Sequence, residues 1–410
     1  MHFCDILFIS REQGGRDNVK KLGKEVFLLR GTEKYPRSGE GAFLRLNDGR
    51  IMYAFTKYYD SVGTDHDSAY IAACYSSDEG ESWSEDSVLL EKGANELNIM
   101  SVSLIRMDNG DLGIIYLTKN ENPDGGICCL PTIRRSSDEG KNFSAPTFIV
   151  DKAGYYVLNN DRVIRLRSGR IIFAVADHGI PTRARFNPGE IAIFYSDDDG
   201  RSFGRSPMTL TSRINDVLGY LEPGLFEMND GTLWLYIRTG YGYQYQSFST
   251  DGGISWSEPA PNYKFTSPSA PMLVKRAGNY TVAVFNPMPW ANAFANKAVW
   301  GVDRDRNPYV MAVSLDGGKS LADQDFSNRC GEFLPYIKHC FYLEPDRNCN
   351  YCYPAIIEVA DGMLVAYYYI DSEKNISLKI TKISFAELDE AACEASKKSE
   401  KTEKVKDNIF

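Results

Sequence analysis

Between Leu221 and Trp256 the chain reads LEPGLFEMNDGTLWLYIRTGYGYQYQSFSTDGGISW, with apolar and polar positions alternating on both sides of Asn229-Asp230-Gly231. A period of two around an Asp-Gly turn predicts two antiparallel strands joined by a tight hairpin. Farther on, Ser249-x-Asp251-x-Gly253-x-x-Trp256 predicts a second turn. There Asp bonds the loop backbone, Gly takes a positive φ and Trp plugs the core. The same unit recurs along the chain. Hairpin turns fall at Asp48-Gly49, Asn109-Gly110, Ser168-Gly169, Asp230-Gly231, Ala277-Gly278 and Asp361-Gly362, between strands such as GAFLRL/RIMYAF and DRVIRL/RIIFAV. After five of the six comes the second signature: Ser76 to Trp83, Ser136 to Phe143, Ser196 to Phe203, Ser249 to Trp256 and Ser314 to Leu321. A short apolar strand precedes each of these.

Six four-stranded antiparallel units predict an all-β fold, a six-bladed β-propeller over residues 1–385. A β-sandwich would not repeat one turn signature so regularly. The strand Glu25 to Arg30 is expected to pair with the C-terminal SLKITKISF, completing the last blade and closing the ring. Residues 386–410 are charged and Ala-rich, and predict a short helix with a solvated tail.

Composition excludes several partners. Net charge is −9 and no basic block occurs, which argues against nucleic acid. No apolar run reaches bilayer-spanning length, and the N-terminal MHFCDILFISREQGG lacks the pattern of a signal peptide. Nine irregularly spaced cysteines predict a reducing, cytoplasmic setting. Cys349-x-x-Cys352, with Cys330 and Cys340 nearby, has the spacing of a zinc half-site, but no His completes it and no metal is expected.

Glu222 opens one hairpin strand and Arg238 ends the other, so a carboxylate and a guanidinium share one end of that hairpin. Together with the repeated signature, which is the Asp box or BNR repeat, this pattern resembles the sialidase (neuraminidase) superfamily over residues 36–385. Asp boxes lie on the rim of such propellers and also occur in non-catalytic ones, so function must rest on residues at the axis. The family clamps its substrate's carboxylate with three arginines, whose guanidinium forks match that geometry. A Tyr attacks, a Glu takes the phenolic proton, and an Asp protonates the leaving oxygen.

The resemblance implies Glu222 as the glutamate, Arg238 and Arg306 as the second and third arginines, and Tyr353 as the nucleophile, with Tyr351 in competition. Three nearby guanidiniums are expected to lower the pKa of Glu222 and to favour the phenolate. Blade 1 departs from the family's Phe/Tyr-Arg-Ile-Pro, reading Tyr35-Pro36-Arg37-Ser38-Gly39-Glu40-Gly41, and Arg37 is the candidate first arginine. The acid is Asp65 or Asp67, both on the loop after the first hairpin. The glutamate that usually supports the first arginine is missing from LVAYYYID in the last hairpin. Asp161 and Arg162, with Asn159, Asn160 and His178, could meet sugar hydroxyls or tie blades together. Ser267 to Pro271 is read as structural.

The implied activity is that of an exo-acting, retaining sialidase removing a terminal acidic sugar from a glycan, with no metal or organic cofactor. Two other readings stay open: a hydrolase or lyase for another acidic sugar such as a uronate, and a non-catalytic propeller that binds glycan or protein. In the last, Tyr353 and Glu222 need not meet. In the sialidase reading, Arg37, Asp65 or Asp67, Glu222, Arg238, Arg306 and Tyr353 converge at one mouth of the axis, with the Asp boxes at the periphery.

Overall fold

Alternating strands hydrogen-bond side by side into sheets, and here the sheets close into a ring. The computed structural model describes residues 21–122, 126–180, 187–213, 218–287, 306–324, 337, 339–346, 348–371 and 376–394. The N-terminal segment 1–20, the charged loop at 303–305, Cys330 and the tail 395–410 lie outside these.

The strands form six antiparallel sheets, the blades of a six-bladed β-propeller. Blade 1 comprises Ser38–Arg45, Ile51–Tyr58, Ala69–Ser76 and Ser87–Leu90, each hydrogen-bonded to the next. Blade 2 begins at Asn98–Arg106 and blade 4 at Leu221–Glu227. Blade 5 begins at Leu273–Ala277 and blade 6 at Asn350–Val359. In blade 3 the innermost strand is split into Tyr156–Val157 and Ile164–Arg165, both paired with Ile171–Asp177. Each predicted Gly turn joins the two inner strands of its blade.

Closure follows the expected route. Lys24–Leu29 pairs antiparallel with Ile376–Ser384, so the first strand of the chain is the outermost strand of blade 6. Innermost strands of blades 6 and 1 also touch, so the ring has no gap there. The helix at 385–394 does not stand free. Leu388 and Ala391 are buried in the core between blades 5 and 6, and Phe385 stacks on Tyr280 at 5.9 Å.

The five Asp turns share one bonding pattern. Ser249 Oγ donates to Asp251 Oδ1 at 2.8 Å, and Asp251 accepts from the backbone N–H groups of Ile254 and Ser255. The Trp256 indole donates to Gly253 O at 3.1 Å. The fifth turn differs, running into a one-turn helix, Lys319–Ala322, with Leu321 buried where the others place an aromatic ring. Each turn also packs on the preceding blade. Gly80 (φ +84) lies against Leu364 of blade 6, where a Cβ would come within 2.5 Å of that side chain.

That contact can be measured. Gly49 has a similar φ of +90 but open space around it, so Gly49→Ala should cost only the left-handed strain, about 1 kcal/mol. Gly80→Ala adds overpacking and should cost about 2–3 kcal/mol. Urea unfolding of the two variants checks this, and equal losses would mean that the turn does not brace the neighbouring blade.

Candidate active site

A left-handed backbone is costly for any residue with a Cβ, roughly 1–3 kcal/mol, and such positions mark sites that the fold holds by force. Among the described residues, the non-glycine positions at positive φ include one at or beside the start of every innermost strand. They are Glu40 (φ 54), Ser101 (57), Asp161 (56), Glu222 (35), Ser269 (61) and Tyr353 (55). In blades 1, 2, 4 and 6 the residue sits in a register shift, between Gly39 and Ala42, Met100 and Ser103, Leu221 and Gly224, and Cys352 and Ala355. A bulge of this kind re-aims a side chain that would otherwise follow the pleat. The side chains so aimed meet across the axis. Tyr353 of blade 6 reaches Glu222 of blade 4, and Asp161 of blade 3 accepts from the Ile356 N–H of blade 6.

At the centre the Tyr353 hydroxyl donates to Glu222 Oε1 at 2.9 Å. The other oxygen, Oε2, accepts from Arg238 Nη1, and Arg238 Nε donates to Ser269 Oγ at 3.3 Å. The Arg306 guanidinium stands 5.5 Å from the centre of the Tyr353 ring and donates to the Tyr368 hydroxyl at 2.7 Å. Backbone bonds hold it there: Arg306 N donates to Asn350 Oδ1 at 2.6 Å, and its carbonyl accepts from Tyr351 N at 2.9 Å. Arg238 bonds Glu222, and Arg306 stands over the Tyr353 ring whose hydroxyl bonds that same Glu222, so the two arginines share one mouth.

Arg37 completes the group from blade 1. Its Nη1 donates to Asp65 Oδ1 at 2.6 Å and to Gly63 O at 3.3 Å, its Nη2 to Glu40, and its guanidinium lies 4.8 Å from the centre of the Tyr58 ring. Asp65 is 60 % exposed, on a loop anchored from blade 2. Lys119 Nζ donates to Asp65 O at 2.6 Å, and Asn98 Nδ2 to the carbonyls of Asp65 and Asp67. Asp67 is turned away from Arg37, its carboxylate accepting from Thr64 N at 2.7 Å within its own loop.

Electrostatics sharpen the pair. Burial alone would raise the pKa of Glu222, but Arg238 and then Arg306 hold it below the usual carboxylate range. Tyr353 moves the other way. Burial, then the Glu222 charge, pushes its hydroxyl well above the ordinary phenol value, and Arg306 opposes this only in part. The expected phenolate is therefore not favoured in the free protein, because desolvation outweighs the arginines. Arg37 holds Asp65 below its usual range despite the cost of desolvation.

The sequence candidates thus divide. Tyr353, Glu222, Arg238 and Arg306 come together, and Arg37 with Asp65 stands beside them across Tyr368, which packs on Gly39, lies 5.2 Å from the Tyr353 ring and accepts from Arg306. Tyr351 does not join them: it is buried in the core, stacked on Tyr309 at 6.0 Å. Asp161 and Arg162 tie blades together. Asp161 accepts from Lys275 Nζ at 2.8 Å, and Arg162, 1 % exposed, donates to the Tyr236 hydroxyl at 2.8 Å and to Met272 O. Asn160 bonds the carbonyls of Gly41 and Pro354, while His178 Nδ1 lies 2.8 Å from Asn187 O. Ser269, read as structural, touches Arg238 instead. Glu40 and Tyr368 had no signal in the sequence beyond their place near Arg37 and in the Tyr-rich last hairpin. Among the described residues no group of three His, Cys, Asp or Glu side chains is arranged to hold a metal, and no helix is long and apolar enough to cross a membrane.

Comparison with known proteins agrees with this architecture. Residues 114–366 match the BNR repeat-like domain. No curated protein matches the sequence. Among solved structures, a Dyadobacter fermentans protein of unknown function is 18% identical, with a TM-score of 0.65 over 88% of this chain and 98% of its own. A Ruminococcus gnavus intramolecular trans-sialidase, in complex with oseltamivir carboxylate, is 14% identical (TM-score 0.63, 89% of this chain and 98% of its own). A leech intramolecular trans-sialidase is 13% identical (TM-score 0.64, 90% and 71%). At such identities the likeness is one of fold.

The half-buried pair has a consequence for acid stability. A carboxylate whose folded pKa is depressed contributes stability that is fully present above its unfolded pKa, roughly 4.3 for Glu. It is lost as pH falls through the lower folded value. Glu222→Gln should therefore flatten the loss of unfolding free energy below about pH 4.3. Urea titrations between neutral and strongly acidic pH check it, and parallel curves for variant and wild type would mean that Arg238 does not hold Glu222 ionised.

Proposed function

From the premise that the chain belongs to the BNR repeat-like domain family, we propose that it is a retaining exo-glycosidase of the sialidase type, acting on a glycan that ends in an acidic sugar. One observation carries this reading: a Tyr hydroxyl 2.9 Å from a half-buried carboxylate whose other oxygen is bonded to an arginine, with a second arginine over the Tyr ring. A binding propeller has no need of a phenol poised on a base.

The sugar's carboxylate is received by Arg37, Arg238 and Arg306, which stay charged at any physiological pH. Tyr353 Oη attacks the anomeric carbon while its proton passes to Glu222 Oε1, so no free phenolate is required beforehand. The glycosidic C–O bond breaks, and the leaving oxygen takes its proton from Asp65. Water, deprotonated by Asp65, then opens the tyrosyl intermediate with net retention, and Glu222 returns its proton to the departing Tyr353 oxygen. Asp65 must carry a proton to act as the acid, yet Arg37 holds it ionised in the free protein. A substrate carboxylate that takes over Arg37 Nη1 releases Asp65 and raises its pKa, so the acid is armed by the ligand it serves.

The compartment proposed is the cytoplasm. Among the described residues Cys74, Cys128, Cys129, Cys349, Cys352 and Cys393 are free thiols, the adjacent Cys128 and Cys129 included, which fits a reducing setting.

The deciding assay sets aryl sialosides beside aryl uronides, with the released sugar identified by mass, because two of the similar structures are intramolecular trans-sialidases. Turnover of the uronides alone would favour the uronate enzyme, to which the altered first-blade motif is open. Turnover of neither would favour the binding module. Tyr353→Phe keeps the ring and its packing, so the unfolding midpoint should barely move while kcat falls by about 10²–10⁴ or more. Full activity in that variant would remove the covalent step. In the wild type, kcat should decline as pH rises through the pKa of Asp65 in the complex, since the acid must be protonated. Asp65→Asn should lose that limb, and a limb that persists would assign the acid elsewhere.

A further inference from the structure

Arg37 has two carboxylate partners of opposite character. Asp65 is on a loop and 60 % exposed, so solvent or a ligand can displace it. Glu40 is 3 % exposed, and both its oxygens are engaged inside the protein. One accepts from Arg37 Nη2, and the other from the Ser101 hydroxyl at 2.6 Å. Ser101 is itself fixed to blade 1, its N–H donating to Thr56 Oγ1 at 3.0 Å. Nothing outside can exchange with Glu40.

The bulge itself does not explain a carboxylate. The equivalent bulge position in blade 2 is Ser101, at φ 57, so a small neutral residue satisfies that backbone. Burying an anion where serine suffices is unfavourable unless its charge is matched. The cation that Glu40 meets is Arg37. We infer that Glu40 is a positioning residue for carboxylate recognition: it holds the Arg37 guanidinium in place, so that Arg37 keeps its aim when Asp65 lets go and a substrate carboxylate takes its place. The inference rests on the sialidase-like reading of the site, and it assigns the two anions different tasks. Glu40 orients and Asp65 exchanges.

The test uses Glu40→Gln, which keeps the shape and an acceptor oxygen but removes the charge, and Ser101→Ala, which frees the second oxygen of Glu40. On an aryl sialoside, Glu40→Gln should raise KM about tenfold, with kcat within about threefold of wild type, the pattern of lost ligand binding. Ser101→Ala should raise KM by about threefold. A merely structural Glu40 would lower the unfolding midpoint and the active fraction while leaving KM alone, and that result overturns the inference. Crystal structures of the ligand-free variants read the same point without substrate. The Arg37 guanidinium should turn from residue 40 toward Asp65 in Glu40→Gln, and an unmoved guanidinium overturns the inference. Should Glu40→Gln not fold, Ser101→Ala decides alone, by its KM and by whether the Glu40 carboxylate shifts. If wild-type protein turns over no acidic glycoside, the sialidase-like reading fails by itself, and the position of Arg37 in the variant crystals still decides the role of Glu40.

Discussion

Everything at the mouth of this propeller depends on a backbone conformation that side chains resist. A regular inner strand alternates its side chains between the two faces of its blade, toward the cores shared with its neighbours. A single left-handed residue in a bulge breaks that alternation and turns one side chain out of the pleat. Glu40, Ser101, Glu222 and Tyr353 are such residues, and Asp161 and Ser269 share the left-handed φ without the register shift. A positive φ is especially unfavourable for an aromatic residue such as Tyr353. Six blades packed face to face in a closed ring supply the restraint, and the bonds made by the bulged side chains offset part of the strain. Removing one partner from a buried ion pair costs about 3–5 kcal/mol, more than the strain of one such residue.

Charge is distributed in the same economical way. Arg37 is matched by Glu40 and Asp65, and Arg238 by Glu222. Arg306 is held by the Tyr368 hydroxyl and the face of Tyr353. Each guanidinium can thus be buried while the group as a whole stays ready for one more anion. The carboxylates differ in what they can release. Glu40 and Glu222 are enclosed, and Asp65 stands on a loop whose backbone, not its carboxylate, is tied down by Asn98 and Lys119. A site that must accept an anion and then deliver a proton needs one partner that can leave.

The polar residues below the mouth serve the ring. Asn160 spans blades 1 and 6, Arg162 reaches blades 4 and 5, and Asp161 reaches blades 5 and 6. Interior polar groups of this kind contribute little net stability when paired, but they fix how the blades face each other. The Asp turns do the corresponding work at the rim, where Gly80 lies on Leu364 of the preceding blade.

By itself the sequence determined the blades, their number and their closure, and it put Glu222 and Arg238 at one end of a hairpin. These follow from local chemistry: a period of two, a Gly turn, a Ser-x-Asp-x-Gly turn, and a Glu and an Arg at the ends of one hairpin. Only the tertiary structure decided between neighbours of like type. Tyr351 and Tyr353 are two residues apart and alternate alike in sequence, and the bulge at Tyr353 sends one to Glu222 and leaves the other in the core. Asp65 and Asp67 share a loop, and one bonds Arg37 while the other caps a turn. Asp161 and Arg162 are polar at the head of an inner strand, as Glu222 is, yet bonds across the axis commit them to the ring. Glu40 was hidden altogether, because its partners are Arg37, whose bond needs a left-handed turn, and Ser101, which is brought to it by the neighbouring blade. Local pattern sets which strands form. Where a bulge falls, and which side chain then meets which across the axis, is set by packing between strands far apart in the chain.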